Sequence, residues 1–183
     1  MASNNTFIYL NEPDKMKSSE LIQLILQDHH AYVRAETPIL LRMAVEAEND
    51  FGKLYPKLAR IAEVVNEIMR DMDMHQMKEE RILFPYIQAM EYSASSGEAV
   101  PQSCFGDVRN PIRAMENDHE NVHSLLEELK SLTGDFTSPQ SDNEMLNNYY
   151  ERMKRFRDNT FRHVYLENEV LFKKAAEMQS RLS

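Results

Sequence analysis

The stretch His163-Val164-Tyr165-Leu166-Glu167, near the C-terminus, sets an imidazole and a carboxylate one helical turn apart, and His75-Gln76-Met77-Lys78-Glu79 repeats the arrangement upstream. On a helix, residues i and i+4 lie one above the other on the same face, so each pair can reach one ion. A single pair reads as an exposed histidine beside a solvated glutamate. The chain, however, adds His119-Glu120-Asn121-Val122-His123, a third pair at this spacing, and the dipeptide His29-His30. Every long predicted helix then carries histidine. Inward imidazoles at His30, His75, His119, His123 and His163, with Glu79 and Glu167 as bridging carboxylates, describe a dinuclear metal site inside a helical bundle.

At 183 residues the chain suffices for one domain with a real core. Only four glycines, no tryptophan and abundant Leu, Met, Glu and Lys favour helix over sheet. A formal net charge of -9 argues against nucleic acid and anionic membranes as partners, because both want a basic face. No apolar run approaches the ~20 residues of a membrane span. The first residues lack the basic and apolar regions of a signal peptide. Cys104, the single cysteine, cannot form an internal disulfide and fits a reducing compartment, so a cytoplasmic protein is expected.

Residues 1–16 read as an N-terminal extension and 17–183 as one bundle domain. Ser18 caps a first helix over about 19–50, with Ile22, Leu26, His30, Val33, Thr37, Leu40, Ala44 and Ala47 on its inward stripe and a kink expected at Pro38. A second helix spans about 56–92, with Ile61, Val64, Ile68, Asp71, His75, Glu79, Ile82 and Tyr86 inward and a bend expected at Pro85. Residues 93–109 have no period and read as a long loop. Asn110-Pro111 opens a third helix that ends near Leu132, and the capping-box pattern Ser141-Asp142-Asn143-Glu144 opens a fourth that reaches about Gln179. Long helices joined by turn-rich connections imply an all-α, antiparallel up-down-up-down four-helix bundle.

Buried without a cation, these ligands would stay unpaired, at about 1–3 kcal/mol for each neutral group and more for charges. Mixed imidazole and carboxylate ligation suits iron, manganese or zinc without separating them. It leaves roughly one octahedral position open to a small ligand such as oxygen, nitric oxide or peroxide. Periodicity weakly favours His30 over His29 as the ligand from the first helix. Asp71, one turn before His75, and Asp118, beside His119, read as acidic groups that orient imidazoles or line an ion path.

Four stretches carry a resemblance: His29-His30-Ala31-Tyr32-Val33-Arg34-Ala35-Glu36-Thr37-Pro38, His75-Gln76-Met77-Lys78-Glu79-Glu80-Arg81-Ile82-Leu83-Phe84-Pro85, Met115-Glu116-Asn117-Asp118-His119-Glu120, and His163-Val164-Tyr165-Leu166-Glu167-Asn168-Glu169-Val170-Leu171-Phe172. In them the chain resembles the hemerythrin-like (HHE cation-binding) superfamily, and most closely the di-iron domain of iron-sulfur cluster repair proteins. The resemblance spans about Ser19 to Ala175. It implies two non-haem iron ions, carboxylate-bridged with or without an oxo group, on His30, His75, Glu79, His119, His163 and Glu167, with Asp71 and Asp118 beside them. It also implies a response to nitric oxide or oxidative stress, by iron donation to damaged iron-sulfur proteins or by nitric oxide and oxygen chemistry. A hemerythrin-like carrier or sensor of oxygen or nitric oxide is the first alternative, and a di-metal oxidase or peroxide-reducing enzyme the second. The sequence departs from the repair proteins in two places. Phe51 stands where they usually have another histidine, a place His123 is expected to fill, and residues 1–16 carry no cysteine, whereas the repair proteins commonly have a small cysteine-containing domain before the bundle.

Overall fold

In a computed structural model describing residues 12–100 and 102–182, the chain is 82% helical, with no strand among the described residues. A short turn, Pro13–Lys15, precedes four long helices. These are α1 (18–51), α2 (57–96), α3 (Arg109–Leu132) and α4 (144–182). The helical class follows the expectation; of the N-terminal extension, residues 1–11 fall outside the described part. Among the described residues, no helix is long and apolar enough to cross a membrane.

Three of the helices contain a wide π-helical turn: Ile25–His30 in α1, Glu79–Leu83 in α2 and Leu166–Leu171 in α4. In each, the backbone N–H that closes the turn reaches five residues back, Ala31 to Leu26, Phe84 to Glu79 and Phe172 to Glu167. An inserted residue of this kind advances the buried stripe by one position. The stripe of α2 therefore leaves Glu79 through Leu83, Phe84 and Ile87, while Ile82, expected inward, is 47% exposed. Pro85 lacks the N–H that would hold this region in a regular α turn. Around Pro38, α1 runs on as α-helix to Phe51, and the Thr37 hydroxyl donates to the Val33 carbonyl at 2.8 Å.

Caps differ from the expected ones by a residue or two. The Ser18 and Ser19 N–H groups donate to Glu91 at 2.7 and 3.2 Å, a tertiary cap supplied by the end of α2. Asn143, not Ser141, caps α4, its side chain accepting from the Leu146 N–H at 2.9 Å. Gly97 takes φ +76° to close α2 after Ser96, four residues beyond the expected end.

The apolar core is divided in two. One cluster joins Val33–Ala47 of α1 to Leu58–Met72 of α2, Val122–Leu129 of α3 and Leu146–Phe156 of α4, with Tyr149 and Phe156 among its largest fully buried side chains. The other joins Leu21–Ile25, Leu83–Met90, Val108–Met115 and Leu166–Ala175. Each large side chain so buried contributes about 1.5–3 kcal/mol. On every helix the gap between the two clusters holds a buried histidine.

Candidate metal centre

His30, His75, Glu79, His119, His163 and Glu167 fill that gap, each no more than 4% exposed. They form two groups that share both carboxylates: His30, Glu79, His163 and Glu167, and His75, Glu79, His119 and Glu167. Within each group the ligand atoms lie within 4.8 Å of one another. In the first group, His30 Nε2 lies 3.1 Å from His163 Nε2 and 3.3 Å from Glu79 Oε2, and His163 Nε2 lies 2.7 Å from Glu167 Oε1. In the second, His119 Nε2 lies 3.0 Å from His75 Nε2 and 3.1 Å from Glu167 Oε2, and His75 Nε2 lies 3.2 Å from Glu79 Oε2. Both Glu79 oxygens are buried without a hydrogen-bond partner. Pairs of imidazole nitrogens aimed at one another, around carboxylate oxygens with no donor, are what a cation-binding cage looks like.

Three of the four opposite ring nitrogens point outward to acceptors. His30 Nδ1 is 2.8 Å from Glu80, which also accepts from Arg34 at 2.6 Å. His75 Nδ1 is 3.4 Å from Asp118, which accepts from Lys78 at 2.7 Å. His119 Nδ1 is 2.9 Å from the Asn168 side-chain oxygen. Such acceptors fix the tautomer that leaves Nε2 free for a metal. Asp118, expected beside the site, is one of these acceptors. Glu80 and Asn168 were not expected, although each directly follows a glutamate shared by the two groups.

Other residues singled out by sequence lie elsewhere. His123 is exposed and stacks on Phe161 at 5.4 Å, outside both ligand groups, so spacing alone misplaced it. It lines a groove of about 1250 Å³ between α3 and α4 whose floor includes His119 and Asn168. Phe51 packs against the larger apolar cluster. Asp71 is half-buried and pairs with Arg70 at 3.3 Å. His29 is buried, stacked on His163 at 5.6 Å, with Nδ1 3.3 Å from Asn159. Cys104 is exposed and free.

Without metal, the charges here are set by competition between burial and proximity. Burial disfavours a charged His75, but Glu79, Asp118 and Glu167 outweigh it and hold the imidazole well above its ordinary pKa. His30 is likewise raised against burial, chiefly by Glu79. Glu167 is held well below the carboxylate range: burial opposes this, and His163, His119 and His75 prevail. The hydrogen bond from His75 brings Asp118 down to about 2. Raised histidines add stability that is complete below their unfolded value of ~6.5 and lost as pH rises through the folded one. Depressed carboxylates add stability present above ~4.5 and lost as pH falls. Metal-free protein should therefore melt at a lower temperature at pH 8.5 than at pH 6, as scanning calorimetry with chelator present would record. An unchanged or rising melting temperature over that interval would contradict this charge assignment.

Four helices converging buried imidazoles and carboxylates define a helical cation-binding protein. Residues 22–175 match the hemerythrin HHE cation-binding domain, and the chain belongs to that family. It is 32% identical over 156 residues to the iron-sulfur cluster repair protein YtfE of Dickeya chrysanthemi, covering 85% of this chain and 65% of that one. It is 30% identical over 164 residues to the probable iron-sulfur cluster repair protein of Haemophilus influenzae, covering 88% and 68%. The YtfE protein of Yersinia pseudotuberculosis is 31% identical over 157 residues, with 86% and 65% covered. The chain thus spans about two thirds of the length of these relatives.

Proposed function

We propose that this chain holds two non-haem iron ions in an antiparallel up-down-up-down bundle. One would sit on His30 and His163, the other on His75 and His119, with Glu79 and Glu167 bridging them. The sharing of both glutamates by the two ligand groups carries this reading. The topology is supported by contacts that join the start of one helix to the end of the next, Ser18 to Glu91 and Arg60 to Glu128. The activity proposed is repair of iron-sulfur clusters damaged by nitric oxide or oxidative stress in the cytoplasm, with the damaged proteins as partners. The relatives' names support the cluster-repair part of this reading.

Bound iron would supply redox chemistry and a position for a small ligand. The chain's part is to hold four imidazoles by Nε2, to orient three of them through Glu80, Asp118 and Asn168, and to seal the ions between two apolar clusters. The gas-carrier alternative drew on His123 as a fifth imidazole; with that ring exposed against Phe161, repair is the reading the site favours.

Protein purified without chelator should carry about two irons per chain, by the ligand count of the two groups. The iron-loaded form should reactivate a cluster enzyme damaged by nitric oxide, and His123→Ala should keep wild-type iron content. Two bound irons without reactivation would overturn the repair role. Zinc, or a single ion, would overturn the di-iron reading. Loss of iron in His123→Ala would restore that residue as a ligand.

A further inference from the structure

The two metal positions are built from a repeat. His75-x-x-x-Glu79-Glu80-x-x-x-Phe84 in α2 matches His163-x-x-x-Glu167-Asn168-x-x-x-Phe172 in α4. Each glutamate carbonyl accepts the wide-turn hydrogen bond from that phenylalanine. The phenylalanines stack on corresponding imidazoles, Phe84 on His30 at 5.7 Å and Phe172 on His119 at 6.2 Å. Glu80 and Asn168 orient those same two imidazoles. The correspondence extends to the residues before them: Asp118 precedes His119 and faces His75, and His29 precedes His30 and faces His163.

There the repeat breaks. Asp118 accepts from the outer nitrogen of His75, whereas the His29 ring lies nearly parallel to His163, 9° between planes, with its own Nδ1 at Asn159. The His163 Nδ1 is buried and has no partner among the described residues. Both imidazoles of the His75/His119 position are thus anchored, but only one of the His30/His163 position.

We propose that this missing anchor makes the His30/His163 position the labile one, the last to fill with metal and the first to release it, with His29 in the place where an acceptor would abolish the difference. This inference rests on the two-metal reading above. An imidazole whose outer N–H has no acceptor is a poorer base; loss of such a partner costs about 10–100-fold in metal affinity. For a protein that gives up iron, one loosely held ion beside one firmly held ion would let donation proceed without emptying the site.

The test uses the full chain loaded anaerobically with ferrous iron, then challenged with a ferrous chelator while release is followed optically. Wild type should release iron in two phases. His29→Asp, which copies Asp118 at the corresponding place, should slow the fast phase about tenfold and leave the slow one unchanged. Asn168→Ala, which strips the anchor from His119 without touching His29, should instead speed the slow phase by about tenfold. Two irons released in a single phase, or a fast phase unmoved by His29→Asp, would overturn the proposal and leave the two-metal reading intact. So would a slow phase unmoved by Asn168→Ala. Uptake of fewer than two irons by wild type would overturn both.

Discussion

Replacing Glu167 with alanine should empty both metal positions at once. The Glu167 carboxylate is fully buried and divides itself between the two groups, Oε1 toward His163 at 2.7 Å and Oε2 toward His119 at 3.1 Å. No single histidine serves both positions. Removing one histidine thus takes a ligand from one position, whereas removing Glu167 takes one from each and leaves Glu79 as the only carboxylate the two groups share. If removal of an outer partner costs up to about 100-fold, loss of a shared ligand should exceed ~1000-fold, or about 4 kcal/mol, at each position. Elemental analysis should find less than a tenth of the wild-type metal. Glu167→Gln keeps the volume and removes the charge, and should lose metal nearly as completely; this separates ligation from packing. Glu169→Ala is the control from the same turn, since Glu169 is exposed and pairs with Lys173. A Glu167→Ala protein that retained two metals would refute the bridging role.

The clustered histidines and glutamates were legible because an imidazole and a carboxylate at i,i+4 replace hydrophobes in an otherwise apolar stripe, as His75 and Glu79 do after Ile61, Val64 and Ile68. The same rule misplaced His123. Helix α3 is α-helical throughout, and its buried stripe runs Met115, His119, Val122, Leu126, so Val122 takes the inward place after His119 and leaves His123 outside. Spacing identifies a shared face but does not say which of two adjacent residues leads it. What lay hidden depends on the wide turns. A 3.6-residue period drawn through Glu79 points Ile82 and Tyr86 inward, whereas the extra residue in Glu79–Leu83 turns Leu83, Phe84 and Ile87 to the core. The same advance carries α4 through Leu171 and Phe172 after Glu167. Glu80 and Asn168 escaped notice because their imidazole partners sit on other helices. The local sequence shows each as the neighbour of a ligand, and only the packing of α2 on α1 and of α4 on α3 shows what it touches.

Removing metal should lower the melting temperature by about 10 °C, and Glu79→Leu should abolish that dependence while making the metal-free protein more stable. The ligand layer separates the two apolar clusters, so the bundle carries its least favourable packing at its centre. Metal present at ~1000 times its dissociation constant stabilises the folded form by about 4 kcal/mol, and a chain of this size gains roughly 2–4 °C per kcal/mol. Glu79 is 0% exposed, and neither of its oxygens has a hydrogen-bond donor. Leucine is of similar volume and would join Met72 to Leu83 across the gap. Exchange of a whole buried ion pair for well-packed apolar groups is commonly neutral or stabilising by about 1–4 kcal/mol, and Glu79→Leu meets that condition where the facing histidines are neutral and no charge is left unpaired. The comparison belongs at the alkaline end of the protein's stable range, where the raised His30 and His75 have given up more of their proton charge and depend less on Glu79 as a counter-ion. Scanning calorimetry with chelator and with ferrous iron would give four melting temperatures. The expected order places metal-loaded wild type highest, Glu79→Leu next and equal in both conditions, and metal-free wild type lowest. A Glu79→Leu protein that melts below metal-free wild type would mean that the carboxylate holds the layer together without metal, through its contacts with His30 and His75. The centre would then be a structural ion-pair network that also accepts a cation, not a binding cage maintained at the expense of the fold.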